Sequence, residues 1–515
     1  MLGMFSTSCQ KSKGSLLYDS IGEGNLEAVK ETVDAGADIN LMGTLLLPNE
    51  NPLKIAMENS QLPIVEYLLQ KGANPDFVDN DGISLLMYTA GAQKKGINKV
   101  NIIRVDYCKL LLKYKADINK TGGIGYTALD YAIRDYSSDQ TIRLLLENGA
   151  KIRPITLQIA LNSYNESYCE TWVVKHVLES LKKEGAEYEI DSALEAAILG
   201  DSPKTTQLIK ENKIRKEFEQ QILFYTAAYD NVQTLQLLLE KGLDIKSVDY
   251  KGNTLLMLAA QCGNIDNVKY LLKQGLNIEA KNYSEKTSLI KSVIYNQYDT
   301  TEYLLESGAI SNINDGDYQD ALCYAASNGN IEMIKLLVDN GYPLNDKSIY
   351  NAIFAAAKNN QITVLQYFLD SGTTFNIEFD DFTLLDNVII FSELDTIKYM
   401  VEHGVSVNGI TIKGKPLSTA ATFGLTDIAD FLISKGADVN GISKYNDGSI
   451  ATAPLTNAIL SGSFDIVKLL VEHGADINYK DVGGGGDSAL QIAERHMSNR
   501  IKEYIKTKTT GQQSK

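Results

Sequence analysis

Cysteine, proline, histidine and tryptophan are all scarce in this chain of 515 residues. The five cysteines (Cys9, Cys108, Cys169, Cys262, Cys323) are too few and too scattered for a disulfide framework, and none stand at the Cys-x-x-Cys spacing of a zinc site. They read mostly as small buried thiols. Nine prolines leave no proline-rich linker, and with one tryptophan against 28 tyrosines any aromatic contact surface is largely tyrosine. Positive charge is in deficit: 49 Lys plus Arg face 65 Asp plus Glu, a formal net charge of -16 that repels phosphate backbones and argues against a nucleic-acid partner. No apolar run approaches the roughly 18 residues of a membrane helix; the greasy stretches at 255–260 and 388–391 end within a few residues.

What is present is ordinary in kind and unusual in arrangement. Hydrophobic residues at 44% and charged residues at 22% suit a folded soluble chain and exclude wholesale disorder or a collagen-like structure. At roughly 150 residues per domain the length predicts three or four globular units, unless the sequence repeats. It does. Segments close to Gly-Ala-Asp-Ile-Asn recur from end to end, with rungs at Gly36, Gly72, Gly149, Gly185, Gly242, Gly275, Gly308, Gly341, Gly372, Gly404, Gly436 and Gly474. Lys115 takes the glycine slot once, and a degenerate rung falls near Lys213. From Gly242 to Gly341 the step is 33 each time.

Each step repeats one grammar: a turn, a helix of the type Leu-Leu-x-x-Ala-Ala, a Gly-Asn turn and a second apolar helix. In the clearest copy Thr254 precedes Leu255-Leu256-Met257-Leu258-Ala259-Ala260, Gly263-Asn264 follow, and Val268, Leu271 and Leu272 mark the second helix. Thr254, Thr127, Thr287 and Thr383 stand where a helix N-cap belongs, and Gly275 where a C′ glycine belongs. The paired alanines imply close approach between neighbouring helices. A unit this small completes its hydrophobic face only against the units before and after it, so stacking is obligatory.

This grammar resembles the ankyrin repeat over about residues 15 to 506. The family's Thr-Pro-Leu-His opening keeps its proline in Asn51-Pro52-Leu53, Lys415-Pro416-Leu417 and Ala453-Pro454-Leu455; elsewhere Leu, Ser or Ala replaces it, and Met257, Ile290, Asp130 or Cys323 fills the histidine slot. The resemblance implies an all-α repeat solenoid of about 14 helix-turn-helix repeats with β-turn or hairpin fingers. Irregular stretches lie at 91–106, with Lys94, Lys95, Lys99 and Arg104, and at 155–218, where Trp172 sits on an apolar helical stripe and reads as core. The run Gly483 to Gly486 lacks a following Lys-Ser/Thr pair and reads as a flexible turn. Residues 507–515 read as a flexible tail.

Residues 1–14 are expected to be a signal-peptide remnant or a flexible tether. Small residues lead to Cys9, followed by a polar stretch, and this resembles the end of a bacterial lipoprotein signal in which Cys9 carries the lipid. Ser6 stands where Leu is usual and no basic segment precedes it, so either translation starts upstream of Met1 or the cysteine is incidental. The expected location is the bacterial cell envelope if Cys9 is lipidated, and otherwise cytoplasmic or secreted.

Chemistry is harder to find. His403 and His473 share one slot at a helix C-terminus, where a cation suits the dipole, and His176 and His496 are isolated. No catalytic residues, metal ligands or cofactor are expected. In ankyrin-like proteins partners are gripped by finger tips and by the exposed side of the first helix. Carried over, this implies Val248, Tyr250, Lys251 and Asn253 in one finger, Tyr283, Ser284 and Lys286 in the next, and Gly316, Asp317 and Gln319 in the third. First-helix ends add Gln261, Tyr295, Asn296, Ser327 and Asn328. The expectation is a monomeric, non-catalytic module binding a protein partner, with a bacterial effector that binds a host protein as the alternative and an enzyme hidden in 155–218 as a third reading.

Overall fold

The computed structural model describes residues 13–22, 24–41, 51–59, 61–91, 104–134, 139–165, 171–316, 319–375, 378–379, 382–409, 415–442, 452–480, 486–495 and 499–512. Among them run thirty α-helices and one short 3-10 turn, which taken consecutively make fifteen helix pairs. The repeat ladder anticipates about fourteen. The extra pair, Ala489–Arg495 with Asn499–Gln512, follows the last glycine rung and has none of its own.

The helices start and stop where local chemistry dictates. The Thr254 hydroxyl accepts the amide of Met257 at 3.3 Å and Asp320 accepts that of Cys323 at 3.0 Å, each opening a first helix. Asn25, Asn231, Asn264 and Asn330 do the same for second helices. Each such cap is worth about 1 kcal/mol. At the second helix's end the chain turns left-handed: Gly275 has φ +85°, and the two non-glycine substitutes, Lys115 and Asn212, are held at +65° and +51°. The degenerate rung therefore falls at Asn212.

First helices form the core. Leu255–Gln261 is buried along its whole length and packs between the first helices Glu219–Tyr229 and Ser288–Ile294. Ala259 and Ala260, with Ala325 and Ala326 two repeats on, are fully buried, and their small side chains permit this stacking. Second helices are amphipathic: Ile265–Lys273 buries Asn267, Val268 and Leu271 and exposes Asp266, Lys269 and Lys273. The fingers are mostly turns. Extended pairing among the described residues includes the bridges Val78 to Ser84 and Val248 to Thr254 and the two-residue strands Glu378–Phe379 and Phe382–Thr383.

The chain forms two compact units. One comprises Met1–Lys151, Ala421–Ile433 and Asp438–Lys515, the other Ile152–Ala420 and Ser434–Ala437.

Three expectations are corrected. Residues 507–512 are not a flexible tail, because the helix Asn499–Gln512 runs through them and buries Ile501 and Ile505, one turn apart. Trp172 is half-buried, whereas Val173, Val174, Val177 and Leu178 on the same helix are buried. The irregular stretch 155–218 is itself two helix pairs, Pro154–Asn165 with Thr171–Glu184 and Ser192–Leu199 with Ser202–Lys210, before the 3-10 turn Lys216–Phe218. Arg104 opens the helix Arg104–Lys113, while Lys94, Lys95, Lys99, Cys9, His496, Asp317 and Gly483 to Gly485 lie outside the described residues. Among the described residues no helix is long and apolar enough to cross a membrane.

Candidate protein-binding surface

Three successive fingers in the second unit share one construction. Asp249 accepts the amides of Lys251 and Asn253 at 2.9 and 2.8 Å, folding the tip around its own carboxylate. Asn282, one step of 33 residues on, accepts those of Ser284 and Lys286 at 3.0 and 2.9 Å. Asp315 accepts that of Gln319 at 3.0 Å. Side-chain hydrogen bonds of this local kind are what Asp and Asn supply in turns.

The fingers are also tied to one another. The Asn282 amide donates to Asn253 Oδ1 at 2.8 Å, and Asn253 donates to Asp249 Oδ2 at 2.8 Å. The Tyr283 amide donates to the Lys251 carbonyl, and that of Gly316 to the Ser284 carbonyl, both at 3.0 Å. Lys286 crosses to the third finger, pairing with Asp315 and donating to the Tyr324 hydroxyl at 2.6 Å. Burial pushes the Asp249 carboxyl above its ordinary range against the hydrogen bonds of Asn253 and Lys251. Burial acts the same way on Asp315, but there the hydrogen bonds from Lys286 and Tyr324 win and hold the carboxyl below its ordinary value.

This network divides the expected contact residues. Tyr283 is 76% exposed and Val248 44%. Ser284, Gly316, Asn296 and Asn328 are exposed, and Tyr250, Lys251, Tyr295 and Ser327 are half-buried. Asn253 and Gln261 are corrected. Asn253 is enclosed by Asp249 and Asn282, and Gln261 is covered by Lys291 of the next repeat, whose ammonium donates to it at 2.9 Å, so neither can meet a partner. Lys286 and Gln319, in the same slot as Asn253, are half-buried; both give their backbone amides to the finger network, and Lys286 also its ammonium. Asn296 has φ +56° in the slot that Gly263 and Gly329 fill, and its Oδ1 accepts from Asn330 at 3.0 Å. Asn328 donates to the Ile294 carbonyl at 3.1 Å. Both serve the turn as well as the surface.

The sequence reading missed Tyr324, which joins the finger network from the first helix, and Ile124, 62% exposed at a finger tip in the other unit. A signal existed for each: Asp249, Asn282 and Asp315 recur at the 33-residue step, and Ile124 stands alone between Gly123 and Gly125.

Four stretches, residues 16–104, 193–282, 289–379 and 393–481, match a family model described as ankyrin repeats, and together they cover more than half of the chain. The chain belongs to the ankyrin-repeat family. It is an ankyrin-repeat, all-α solenoid protein, and its repeats suggest a protein-interaction module. The phosphocholine transferase AnkX of Legionella pneumophila is 25% identical over 250 residues, which cover 47% of this ankyrin-repeat chain and 23% of AnkX. The match thus spans about a quarter of that relative's length. Among the described residues no three His, Cys, Asp or Glu side chains are grouped so as to hold a metal ion.

Proposed function

We propose that this chain is a non-catalytic, monomeric binding module that holds a protein partner along its finger tips and the exposed ends of its first helices. The observation that carries the reading is the posture of Tyr283. It stands 76% exposed on a finger whose buried polar atoms are bonded to the fingers on either side. A tyrosine supplies large contact area for little conformational entropy. A row ordered before binding loses little more on association. Val248, Tyr250, Lys251 and Ser284 extend the same surface.

The test is affinity capture from the native host followed by alanine replacement of Tyr283 and Tyr250. Loss of about tenfold or more in affinity, about 1.4 kcal/mol, with an unchanged melting temperature supports the reading. Undiminished capture by both variants overturns it.

A bacterial setting is the second part of the proposal, and the likeness to a Legionella protein supports it. Lipidation of Cys9 would hold the module at the cell envelope, with more than one acyl chain needed for stable anchoring; export to bind a host protein is the alternative. Labelling with palmitate in the native host separates them. The enzyme reading for 155–218 gains no support from its two helix pairs, and phosphocholine transfer is stated here of AnkX alone.

A further inference from the structure

Within the unit that contains both the first and the last described helix pairs, one arginine bridges them. Arg500, in the helix Asn499–Gln512, donates to Asn25 Oδ1 at 2.5 Å, and its other terminal nitrogen stands 3.6 Å from Glu31. Asn25 is the buried N-cap of the helix Leu26–Asp34, and the same oxygen accepts the Ala28 amide. The guanidinium rests 3.8 Å from the centre of the Phe464 ring, against which Tyr504 packs edge-on at 5.4 Å. One cationic group therefore touches a helix start, an acidic side chain and an aromatic face drawn from segments more than 430 residues apart in sequence.

The surroundings of this contact are open and polar. A cavity of about 410 Å³ lies in the same unit, with Gly24, Asn59 and Gln61 lining it from the early repeats and Thr422, Phe423 and Ser463 from the late ones. Parting the two sides does not break a stacking interface between sequence neighbours, which is where a repeat array holds its stability. Glu31 is 73% exposed, so its attraction for Arg500 is subject to ionic screening.

We propose that Arg500 is the bolt of a salt-sensitive latch that reversibly joins the first helix pair to the last. Closed, it holds Lys13–Gly22 with Leu26–Asp34 against Ala489–Arg495 with Asn499–Gln512. Opened, it frees the Phe464 face and widens the cavity while the remaining repeats stay folded.

Hydrogen exchange on the full chain tests this, because the two sides report separately. Arg500→Ala is expected to raise exchange of the Leu26–Asp34 amides by about tenfold, the scale of one lost charge-assisted hydrogen bond, while leaving Leu255–Gln261 unchanged. Glu31→Arg, a change at an exposed position that cannot unfold the late repeats, is expected to raise exchange in Asn499–Gln512. Raising salt from about 0.1 M to about 1 M moves the unmodified protein toward the single variants. The latch is overturned if Arg500→Ala affects only residues 464–472 and 499–512, or if the same rise in salt leaves the unmodified protein unchanged.

Discussion

The ring of Tyr283 lies against Gly252 of the preceding finger so closely that a Cβ built on the glycine would stand 2.8 Å from it. The glycine is also left-handed, at φ +75°. Gly252→Ala is therefore penalised twice, by backbone strain of about 1 kcal/mol and by displacement of the ring. The expected outcome is a modest fall in melting temperature together with a loss of partner affinity approaching that of Tyr283→Ala. Tyr283→Ala itself should leave the melting temperature unchanged. Calorimetry and binding titration on the two variants check the contrast.

Asp315 offers a pH test. Its carboxyl is held below its ordinary value of 3.8 once the bonds from Lys286 and Tyr324 have outweighed burial. A group with a depressed folded value contributes stability that is fully present above the unfolded value and is lost as pH falls through the folded one. Asp315→Asn is expected to cost about 2 kcal/mol at neutral pH, because Lys286 is left without its counter-charge. The gap from the unmodified protein should close only below about pH 3.8. Denaturant titrations across that range are the measurement, and a gap constant with pH counts against the assignment.

Glycine slots differ in what surrounds them. At Gly275 nothing lies within 4 Å of an added Cβ, whereas at Gly263 it would meet Gln297 Oε1. Gly275→Ala should cost only the left-handed penalty, about 1 kcal/mol, and Gly263→Ala that penalty together with a shift of the Gln297 side chain. Lys115, held at φ +65° in the same kind of slot as Gly275, makes the reverse case. Lys115→Gly should stabilise the first unit by about 1 kcal/mol, read as an upward shift in melting temperature.

Burial pushes the Cys108 thiol up to about 11, against a hydrogen bond with Thr89, and raises that of Cys323 further still with help from Asp320. At about pH 8 Cys108 should react with a thiol reagent about a hundredfold more slowly in the native protein than after unfolding, and Cys323 more slowly still. Mass spectrometry of labelled peptides checks each site. Rapid native labelling of Cys323 would show that its repeat opens locally.

The ladder of glycines, the threonine caps and the alanine pairs made the helix pairs legible, because each is a local rule repeated at a fixed step. Lys115 and the rung at Asn212 could be placed because their neighbours kept the rhythm. The last pair has no rung of its own, though Ile501 and Ile505 carry the one-turn spacing of a buried face, and its helix beyond residue 506 was overlooked. The surface was only half readable. Polarity alone does not separate Tyr283, which faces solvent, from Asn253, which is polar because it satisfies Asp249 and Asn282. Gln261 looked like the free end of a helix until Lys291 of the following repeat closed over it.

The bonds linking Asp249, Asn253, Asn282, Lys286 and Asp315 make these three fingers a single mechanical tile. A mutation that reshapes one tip drags its neighbours out of alignment. Changes in recognition then arise most easily through outward side chains such as Tyr283 and Val248, leaving the tile's interior as a frame that selection can hold fixed while its decoration drifts.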